Sequence, residues 1–584
     1  MWSAAFRRQA RRAYTRRMTS RRDFVERTAL ATLGLALPVL DTRFSAPAPA
    51  GHPPARNFLD LHRPPDVVLV QTARDNRVLS RASGDRWMSG DGVVVMTTPH
   101  ARALHVALSA PAVAIKRLYL RWHGDLADTR LILGDAWERA YGDLEWRTWN
   151  PDRVMPWYFA ATDGVRTHAY GVRTGAKAFC YWQVDPRGMS VCADVRSGGA
   201  AVELGDRLLD VCDVVCRAGH AGESAFVAIH AFCRQMCPGP RLAPARVYGS
   251  NDWYWAYGNN SAVSVRTDAQ HIVELSPTGD NRPFVVIDDG WQPGRGRETT
   301  GAGAWDRGNE KFPDMPALAA DVRSAGARPG IWIRPLQAGA DAPDGWRLSR
   351  DRDSLDPTVP EVRQKVSGDI ARLRQWGFEL IKHDYTTFDI LGRWGFQMGT
   401  ALTRDGWTFA SGPSRTTAEV ITDLYSAIRA AAHDSLVMGC NTVSHLSAGV
   451  FEICRIGDDT SGTEWPRTRK MGVNSLAFRG VQHGAFYEAD ADCAGVTTAV
   501  PWALTSQWLD LLARSSTTLF VSLASDALGP RQRADLRTAL AMAATRQPVG
   551  EPLDWQRTVY PSHWRLTGRE TSYDWMGTDG AGLP

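Results

Sequence analysis

The first part of the chain, from about residue 66 to residue 240, is a succession of short apolar runs separated by turn residues. Gly and Asp cluster in turns at 89–92 and 185–188. The runs lack the 3.6-residue period of an amphipathic helix. Evenly spaced strands of this length predict an N-terminal β-sandwich over 66–240. The strand candidates are residues 66–71, 92–97, 103–108, 115–122, 179–184 and 190–195.

After Pro238-Gly239-Pro240 the pattern changes, and apolar runs alternate with helix-like stretches. Repeated alternation of strands and helices predicts an α/β protein with a (β/α)8 TIM barrel over 241–548. The eight strand candidates are residues 247–253, 284–287, 329–333, 380–381, 436–439, 451–456, 485–487 and 518–521. The helix candidates include 267–275, 315–324, 359–376, 418–433 and 469–479.

The two ends of the chain differ from both of these regions. Residues 549–584 carry widely spaced aromatic residues, among them Trp555 and Trp575, and predict a short C-terminal β segment. Residues 51–65 are rich in Pro and His and predict a linker.

The first 50 residues have the pattern of an export signal. Arg21-Arg22 followed by Asp23-Phe24 resembles the twin-arginine motif, and the apolar run at 28–40 is too short to span a bilayer comfortably. The basic stretch before Met18 is redundant for this purpose, so translation could begin at Met18. We therefore expect a twin-arginine-type signal over 1–50. The protein is then periplasmic or extracellular and does not associate with membrane after the signal is removed.

Net charge excludes one class of partner. Residues 1–46 contain ten Arg and three acidic residues, a local charge of +7. The whole chain carries +5, so the remainder carries −2. No basic surface is left to indicate a nucleic-acid partner.

Cysteine and tryptophan usage add two further expectations. The nine Cys are an odd number, and their spacing, as in Cys212-x3-Cys216, does not match a zinc site. We expect core thiols or one or two disulfides, and no metal. The 23 Trp include several in polar stretches, where a ring can stack on the apolar face of a sugar.

Polar residues rich in carboxylates follow the strands of the predicted barrel. The carboxyl ends of barrel strands form one face, so these side chains should converge. Two facing carboxylates, one to attack and one to carry a proton, are what glycoside hydrolysis requires. The strand-end residues are Asp252, Trp253, Asp288, Asp289, Trp291, Trp332, Arg334, Lys382, Asp384, Cys440, Asn441, Arg455, Asp458, Asp459, Glu488, Asp490 and Asp492.

Taken together, these segments resemble the α-galactosidase clan, glycoside hydrolase families 27 and 36, over most of residues 66–530. The matching segments of the barrel are VVIDDGWQ (285–292), KFPDMPALAADVRSAGARPGIWIRP (311–335), ELIKHDY (379–385), RIGDDTS (455–461) and RSSTTLFVSLASD (514–526). In the N-terminal part, LGDAWERAYGDLEW (133–146) resembles the β-domain that precedes the barrel in family 36, and Asp135 and Trp137 are candidates to reach over the barrel mouth.

The resemblance implies a role for each matching residue. Asp384 is the expected nucleophile, and Lys382 is expected to hold a sugar hydroxyl. His383 departs from the family, which usually has an aromatic residue there. The remaining residues expected to bind substrate are Asp288 and Asp289 at the C4 and C6 hydroxyls, Trp291 beside them, Trp253 against the ring, Trp332, Arg334, Asn441, and Arg455 near the C2 hydroxyl.

The acid/base residue has two candidates. Matching RIGDDTS to the S-D-x-T-D form of the family gives Asp458, whereas counting from Arg455 as in family 27 gives Asp459. We take Asp458 as the acid/base and keep Asp459 as the alternative.

The resemblance implies an exported retaining exo-α-glycosidase, most similar to α-galactosidases, which needs no cofactor and acts on terminal sugars of oligo- or polysaccharides. Its partner is then a carbohydrate, and its oligomeric state is open. Relatives acting on N-acetylgalactosamine, β-L-arabinopyranose or α-glucan would keep the same carboxylates. Two other classes remain: a sugar-binding barrel without turnover, and a metal-dependent hydrolase.

Overall fold

The computed structural model describes residues 57–294 and 303–577. The predicted signal at 1–50 and the start of the predicted linker lie outside these residues. In the described part of the chain, no helix is both long and apolar enough to cross a membrane. All nine cysteines are buried and unpaired.

Two antiparallel sheets make up the chain from Val67 to Arg217. Their strands are β1 (Val67–Thr72), β2 (Asn76–Val78), β3 (Ser80–Ser83), β4 (Arg86–Met88), β5 (Val94–His100), β6 (Ala103–Ala110), β7 (Ile115–His123), β8 (Leu131–Gly134), β9 (Met155–Pro156), β10 (Tyr158–Thr162), β11 (Thr167–Val172), β12 (Phe179–Asp185), β13 (Gly188–Asp194) and β14 (Gly205–Arg217). The sheets have the orders β2-β1-β7-β13-β12-β9 and β3-β4-β5-β6-β14-β11-β10-β8.

The apolar alternation in the sequence places side chains between these two sheets. In β1 every second residue is buried, including Val68 and Val70. Phe159 in β10 lies 5.6 Å, centroid to centroid, from the ring of Trp182 in β12. Rings from both sheets therefore share one apolar interior. Helix α1 (Ala225–Met236) follows the sheets.

A nine-stranded parallel sheet occupies the chain from Tyr248 to Leu523. Its strands are β15 (Tyr248–Asn251), β16 (Phe284–Ile287), β17 (Arg328–Ile333), β20 (Leu380–His383), β21 (Leu436–Gly439), β22 (Ile453–Arg455), β23 (Glu488–Asp490), β24 (Ala494–Val496) and β25 (Leu519–Leu523), and a separate hairpin is formed by β18 (Arg347–Leu348) and β19 (Asp351–Leu355). The sheet order is β23-β22-β21-β20-β17-β16-β15-β25-β24. The N–H of Thr518, just before β25, donates to the carbonyl of Ala489 in β23 at 3.0 Å, so the β23 edge lies beside β25.

Helices separate most of these strands in the chain. They are α2 (Trp253–Ala256), α3 (Ala262–Leu275), α4 (Met315–Ser324), α5 (Pro360–Gln375), α6 (Thr386–Leu391), α7 (Thr417–Ala432), α8 (Ser444–Ser447), α9 (Trp465–Thr468), α10 (Asn474–Arg479), α11 (Trp502–Arg514) and α12 (Pro530–Ala543). Short 3₁₀ turns lie at Asp344–Trp346, Gly395–Gln397, Gly480–Gln482 and Ser525–Ala527, and a π-helical turn at Arg469–Val473. Capping boxes start α3 at Ser261 and α7 at Thr416.

Two local predictions were wrong. The strand expected at 485–487 lies at Glu488–Asp490, so Glu488 and Asp490 are within the strand and not beyond its end. The helix expected over 469–479 begins as a π-helical turn before α10. A short apolar run such as 485–487 does not distinguish a strand from the segment that leads into it.

A small antiparallel sheet ends the described chain, with strands β26 (Glu551–Pro552), β27 (His563–Leu566) and β28 (Arg569–Ser572) in that order. Trp555 beside it makes ring contacts with Trp146 at 5.5 Å and Phe478 at 5.6 Å. These contacts join the C-terminal segment to both larger parts of the fold.

Candidate active site

Strand β20 and the residue that follows it carry the two side chains around which the site is built, Lys382 and Asp384. Successive residues of a strand point to opposite faces, so Lys382 and Asp384 share one side and His383 points to the other. His383 is fully buried between the rings of Tyr425 and Phe451, 5.7 and 5.6 Å away. Burial lowers the pKa of His383 to about 3, so its ring is neutral. The departure from the family at this position therefore faces away from Asp384.

Asp384 is held at both carboxylate oxygens. The indole N–H of Trp332 donates to Oδ2 at 3.0 Å, and the backbone N–H of Tyr385 donates to Oδ1 at 2.7 Å. Tyr385 has a φ of 67°, in the left-handed region that side chains other than glycine rarely adopt. This backbone conformation accompanies the return of the Tyr385 N–H to Asp384 and is locally costly.

Lys382 forms an ion pair with Asp288, which follows β16, two strands away from β20 in the parallel sheet. Its Nζ lies 2.7 Å from Asp288 Oδ2, which also accepts from Asn251 Nδ2 at 2.8 Å. Burial disfavours the charged amine, but Asp288 outweighs this effect and raises the pKa of Lys382 well above its usual value. Lys382 and Asp288 therefore form an ion pair whose two side chains are almost completely buried.

Asp252 lies behind this ion pair. It is buried, and its Oδ1 accepts from the backbone N–H of Asp288 at 2.8 Å while its Oδ2 accepts from Asn260 at 2.9 Å. Burial and the neighbouring Asp288 raise the pKa of Asp252 to about 7. Asp252 positions the Asp288 backbone and faces away from solvent.

Arg455 at the end of β22 joins a second group of charges. Its guanidinium contacts Asp492, reaches Asp459 Oδ1 at 3.1 Å and donates to the Tyr254 hydroxyl at 3.3 Å. The Tyr254 hydroxyl in turn bonds to Asp492. Asp492 has a φ of 76°, so a second strained residue stands at the end of a strand. Arg455 is therefore held by groups from three segments.

Asp458 and Asp459 lie next to each other but differ in their partners. Both oxygens of Asp458 are paired, with Arg139 at 2.8 Å and Arg467 at 2.9 Å. Both ion pairs of Asp459 go to its Oδ1, from Arg455 at 3.1 Å and Arg139 at 3.6 Å. The Asp459 side chain is 39% exposed and that of Asp458 is 13% exposed. Asp459 is thus the more accessible carboxylate of the two.

The surrounding guanidinium groups control the charge of Asp459. Burial acts to raise its pKa, but Arg455 and Arg139, with a smaller effect of Lys382, lower the pKa to about 2. Asp459 is a carboxylate at neutral pH in the unliganded protein.

The thiol of Cys440 lies beside the guanidinium groups of Arg455 and Arg139. Arg455 and Arg139 approach its Sγ at 3.7 and 3.9 Å, at the outer limit of a hydrogen bond to sulfur. Burial, followed by the charge of Asp384, raises the pKa of Cys440 well above its usual value. Cys440 therefore stays a thiol, and the charges of both Asp384 and Arg455 act on it.

The other predicted site residues fall into two groups, those at the strand ends and those buried in internal contacts. Trp332 contacts Asp384, Trp253 is half-buried next to Tyr257, and Asp289 accepts from Gln292 at 2.6 Å. Three residues are committed to internal contacts. Trp291 is fully buried and donates to the Trp332 carbonyl, Asn441 is buried between Glu138 and the Phe388 N–H, and Arg334 is paired with the buried Asp389.

A loop from the N-terminal part supplies residues that the sequence comparison did not single out. Ala140 pairs with the segment after β22, accepting from Asp458 N and donating to Ile456 O, both at 2.8 Å. This contact brings Arg139 to Asp458 and Asp459. Glu138 binds Asn441 and accepts from Gly395 N at 2.7 Å. The segment LGDAWERAYGDLEW was the available signal, but nothing in it indicated which side chain meets the acidic pair.

Asp135 and Trp137, the two residues of this loop that were expected to reach over the barrel mouth, make internal contacts instead. Asp135 forms a buried ion pair with Arg479 at 2.8 Å. Trp137 packs against the rings of Trp157 and Phe179 in the antiparallel sheets.

In the described chain, a group of side chains that could hold a metal ion lies away from these carboxylates. Asp60, His62 and Cys216 place one ligand atom each within 4.8 Å of one another. The carboxylates around Lys382 and Arg455 do not form such a group among the described residues.

Comparisons with known proteins point to one fold. An α-galactosidase from Thermus thermophilus, solved with p-nitrophenyl α-D-galactopyranoside, superposes with a TM-score of 0.57 at 15% identity over 84% of this chain and 99% of that chain. A family 36 α-galactosidase from Geobacillus stearothermophilus, with 1-deoxygalactonojirimycin, has a TM-score of 0.55 at 14% identity over 86% of this chain and 77% of that chain. A family 31 sulfoquinovosidase from E. rectale has a TM-score of 0.53 at 12% identity over 88% and 86%.

One curated sequence also matches. An α-galactosidase from Escherichia coli is 31% identical over 116 residues, which is 20% of this chain and 15% of that protein. No family model matches the chain. The resemblance expected from the sequence is confirmed, and at these identities it establishes a shared fold.

Proposed function

We propose that this chain, which has the fold of family 36 α-galactosidases, is a retaining exo-α-glycosidase of that type. One observation carries the proposal. Asp384 is held by Trp332 and the Tyr385 N–H at the end of a parallel strand. Arg455, which pairs with Asp459, also contacts the thiol of Cys440, and the charge of Asp384 acts on that same thiol. Two carboxylates in one polar cup match the requirement of double displacement.

In the proposed reaction Asp384 attacks the anomeric carbon as the bond to the leaving oxygen breaks. Trp332 and Tyr385 fix the orientation of the attacking oxygen, because each occupies one carboxylate oxygen with a hydrogen bond. The acid/base donates a proton to the leaving oxygen. In the second step it takes a proton from water, whose oxygen displaces Asp384 and restores the original anomeric configuration.

We favour Asp459 over Asp458 as the acid/base. Asp458 has both oxygens paired with guanidinium groups. Among the described residues, both ion pairs of Asp459 go to its Oδ1, and its side chain is the more exposed of the two. The low pKa of Asp459 requires that substrate binding draws Arg455 or Arg139 away from it, so that it can take up a proton. Two carboxyls in such a mechanism lie about 5–5.5 Å apart.

Lys382, Asp288 and Arg455 are proposed to bind sugar hydroxyls. All three are charged groups already oriented by partners, which reduces the cost of ordering them when a sugar binds. Galactose is the first candidate because the T. thermophilus and G. stearothermophilus proteins are α-galactosidases. N-acetylgalactosamine, β-L-arabinopyranose and glucose-type substrates are the alternatives.

A panel of p-nitrophenyl glycosides tests the reaction. Wild type should release nitrophenol from one α-glycoside, and Asp384→Asn should lower kcat/KM by at least about 10³-fold. Asp459→Ala should hydrolyse activated substrates and be accelerated by azide, giving a glycosyl azide of retained configuration. Azide acceleration of Asp458→Ala instead would reverse the acid/base assignment, and a fully active Asp384→Asn would overturn the mechanism.

A sugar-binding protein without turnover is the second candidate. The observation in its favour is the low pKa of Asp459, because a group ionised at neutral pH is a poor proton donor. Wild type that binds a monosaccharide but hydrolyses none of its glycosides would establish this alternative. An effect of chelator on turnover would instead favour metal-dependent hydrolysis.

We also infer that the parallel sheet closes as a (β/α)8 barrel behind an N-terminal β-sandwich. The hydrogen bond from Thr518 to Ala489 supports closure, because it joins the β23 edge to the segment leading into β25.

Export through the twin-arginine route is proposed from residues 1–50 alone. A fusion of this segment to a reporter, compared with Arg21→Lys/Arg22→Lys, tests it.

A further inference from the structure

Phe396 is an exposed aromatic side chain that packs on the N-terminal loop carrying Arg139. Its side chain is 59% exposed, in the 3₁₀ turn after α6. Its ring lies 4.8 Å from that of Tyr141, on the N-terminal loop, at an interplanar angle of 67°. Tyr141 in turn is next to Arg139, whose guanidinium lies 5.8 Å from the Tyr141 ring. An exposed ring is therefore braced by the loop that carries the partner of Asp458 and Asp459.

Trp394 links this ring to the two groups of carboxylates. It is half-buried, and its ring lies 5.6 Å from that of Tyr385, the residue after Asp384. The Trp394 ring also lies 5.4 Å from the guanidinium of Arg139, which pairs with Asp458 and Asp459. Trp394 thus borders the site between its two carboxylate groups.

The segment 394–396 is held in place before any ligand binds. The N–H of Gly395 donates to buried Glu138 at 2.7 Å, and the Trp394 N–H donates to Gln397 at 3.0 Å. Phe388 stacks on Trp394 with centroids 4.5 Å apart. A preformed aromatic surface binds a ring at a lower entropic cost than one that must be ordered.

We propose that Phe396, Trp394 and Tyr141 form the binding surface for the sugar on the leaving-group side of the scissile bond. The inference rests on the proposed function, because the leaving oxygen must lie next to the acid/base residue. Arg139 is a neighbour of that residue and of two of the three rings, so a leaving-group sugar beside Asp459 would meet this surface. Apolar pyranose faces stack on aromatic rings, while Arg139 offers N–H donors to hydroxyls. The substrate class is therefore an oligosaccharide with a pyranose in the leaving position.

Phe396→Ala tests the surface with two substrates of the same terminal sugar. The kcat/KM for an α-linked oligosaccharide should fall about tenfold, the usual scale of one lost ring contact. The kcat/KM for the glycosyl fluoride should be unchanged, because fluoride has no sugar on the leaving side. Phe396→Trp should restore the oligosaccharide value. Leu208→Ala, an exposed apolar residue on the antiparallel sheets, should change neither.

Equal losses on both substrates, or no loss on the oligosaccharide, would overturn the inference. Binding provides a measurement that does not depend on turnover. In an Asp384→Asn background, Phe396→Ala should weaken oligosaccharide binding about tenfold and leave monosaccharide binding unchanged. If Phe396→Ala leaves the oligosaccharide affinity unchanged, these rings are not the binding surface. Wild type that binds both sugars but hydrolyses neither substrate overturns the proposed function and leaves the binding result to decide the surface.

Discussion

At the scale of single residues, the site is governed by which charges share a buried contact. Arg139 contacts both Asp458 and Asp459, whereas Arg455 contacts only Asp459 of these two carboxylates. Lys382 is paired with Asp288. Burial acts against the charged form of both Asp459 and Asp252, and the neighbouring charges decide the direction in which each pKa moves. Asp459, with two guanidinium contacts, has a low pKa, whereas Asp252, next to Asp288, has a high one.

Replacing Arg139 should therefore change the pH dependence of the proposed reaction. In Arg139→Gln the acid/base loses a neighbouring cation, so its pKa rises and it keeps its proton to higher pH. The basic limb of kcat against pH, which reports the enzyme–substrate complex, should move upward by about one unit. Arg139→Lys, which keeps the charge, should move it less. A basic limb that does not move in Arg139→Gln would contradict a role for Arg139 in setting this pKa.

Asp252 predicts a pH dependence of stability. Its pKa is about 7 in the folded protein and near 3.8 when unfolded, so the folded state binds the proton more tightly. This contribution to the free energy of unfolding is complete below about pH 4 and is lost as pH rises to about 7, by up to roughly 4 kcal/mol.

Urea unfolding of wild type and Asp252→Asn across this range measures the contribution. The stability of wild type relative to Asp252→Asn should fall from pH 4 to pH 7. Asp280→Asn, at an exposed position, serves as control. Parallel curves for wild type and Asp252→Asn would show that the Asp252 proton does not contribute.

At the scale of elements, the loop at 135–143 matters as much as any strand of the parallel sheet. It carries Glu138 and Arg139 to the ends of β21 and β22, and the Ala140 hydrogen bonds hold it there. Gly142 permits the approach. It has a φ of 70°, and a Cβ at this position would lie 2.4 Å from the Lys470 carbonyl oxygen.

Gly142→Ala should displace this loop and reduce both stability and activity. Strain from the positive φ alone costs about 1 kcal/mol, and Gly84→Ala, with φ 52° and open space around its Cβ, should show only that cost. The backbone clash in Gly142→Ala should add at least about 1–3 kcal/mol. Thermal unfolding and kcat/KM are measured for both variants, and equal losses would contradict the close contact with Lys470.

At the scale of the whole molecule, buried charges join the antiparallel and parallel parts. Asp135, at the end of β8, pairs with Arg479 of α10 at 2.8 Å, and Gln482 donates to Asp135 at 3.0 Å. Both charged side chains are almost completely buried. Removing one partner leaves the other charge without compensation, whereas replacing both by apolar groups is often tolerated.

Asp135→Leu should therefore destabilise the protein by about 3–5 kcal/mol. The double variant Asp135→Leu/Arg479→Met should recover a large part of that loss, because no unpaired charge remains. The temperature of thermal unfolding reports both. A double variant less stable than the single one would show that the ion pair itself, and not the avoidance of an unpaired charge, stabilises this contact.

The sequence by itself determined features that depend on neighbours in the chain. Alternation placed Lys382 and Asp384 on one face of a strand, and the apolar runs located most strands of the parallel sheet, because strand geometry is local. The tertiary structure alone decided that Arg139 meets Asp458 and Asp459, that Trp291 and Asn441 are buried, and that the 485–487 strand lies three residues later. These outcomes depend on contacts between segments up to about 300 residues apart, which local periodicity does not encode.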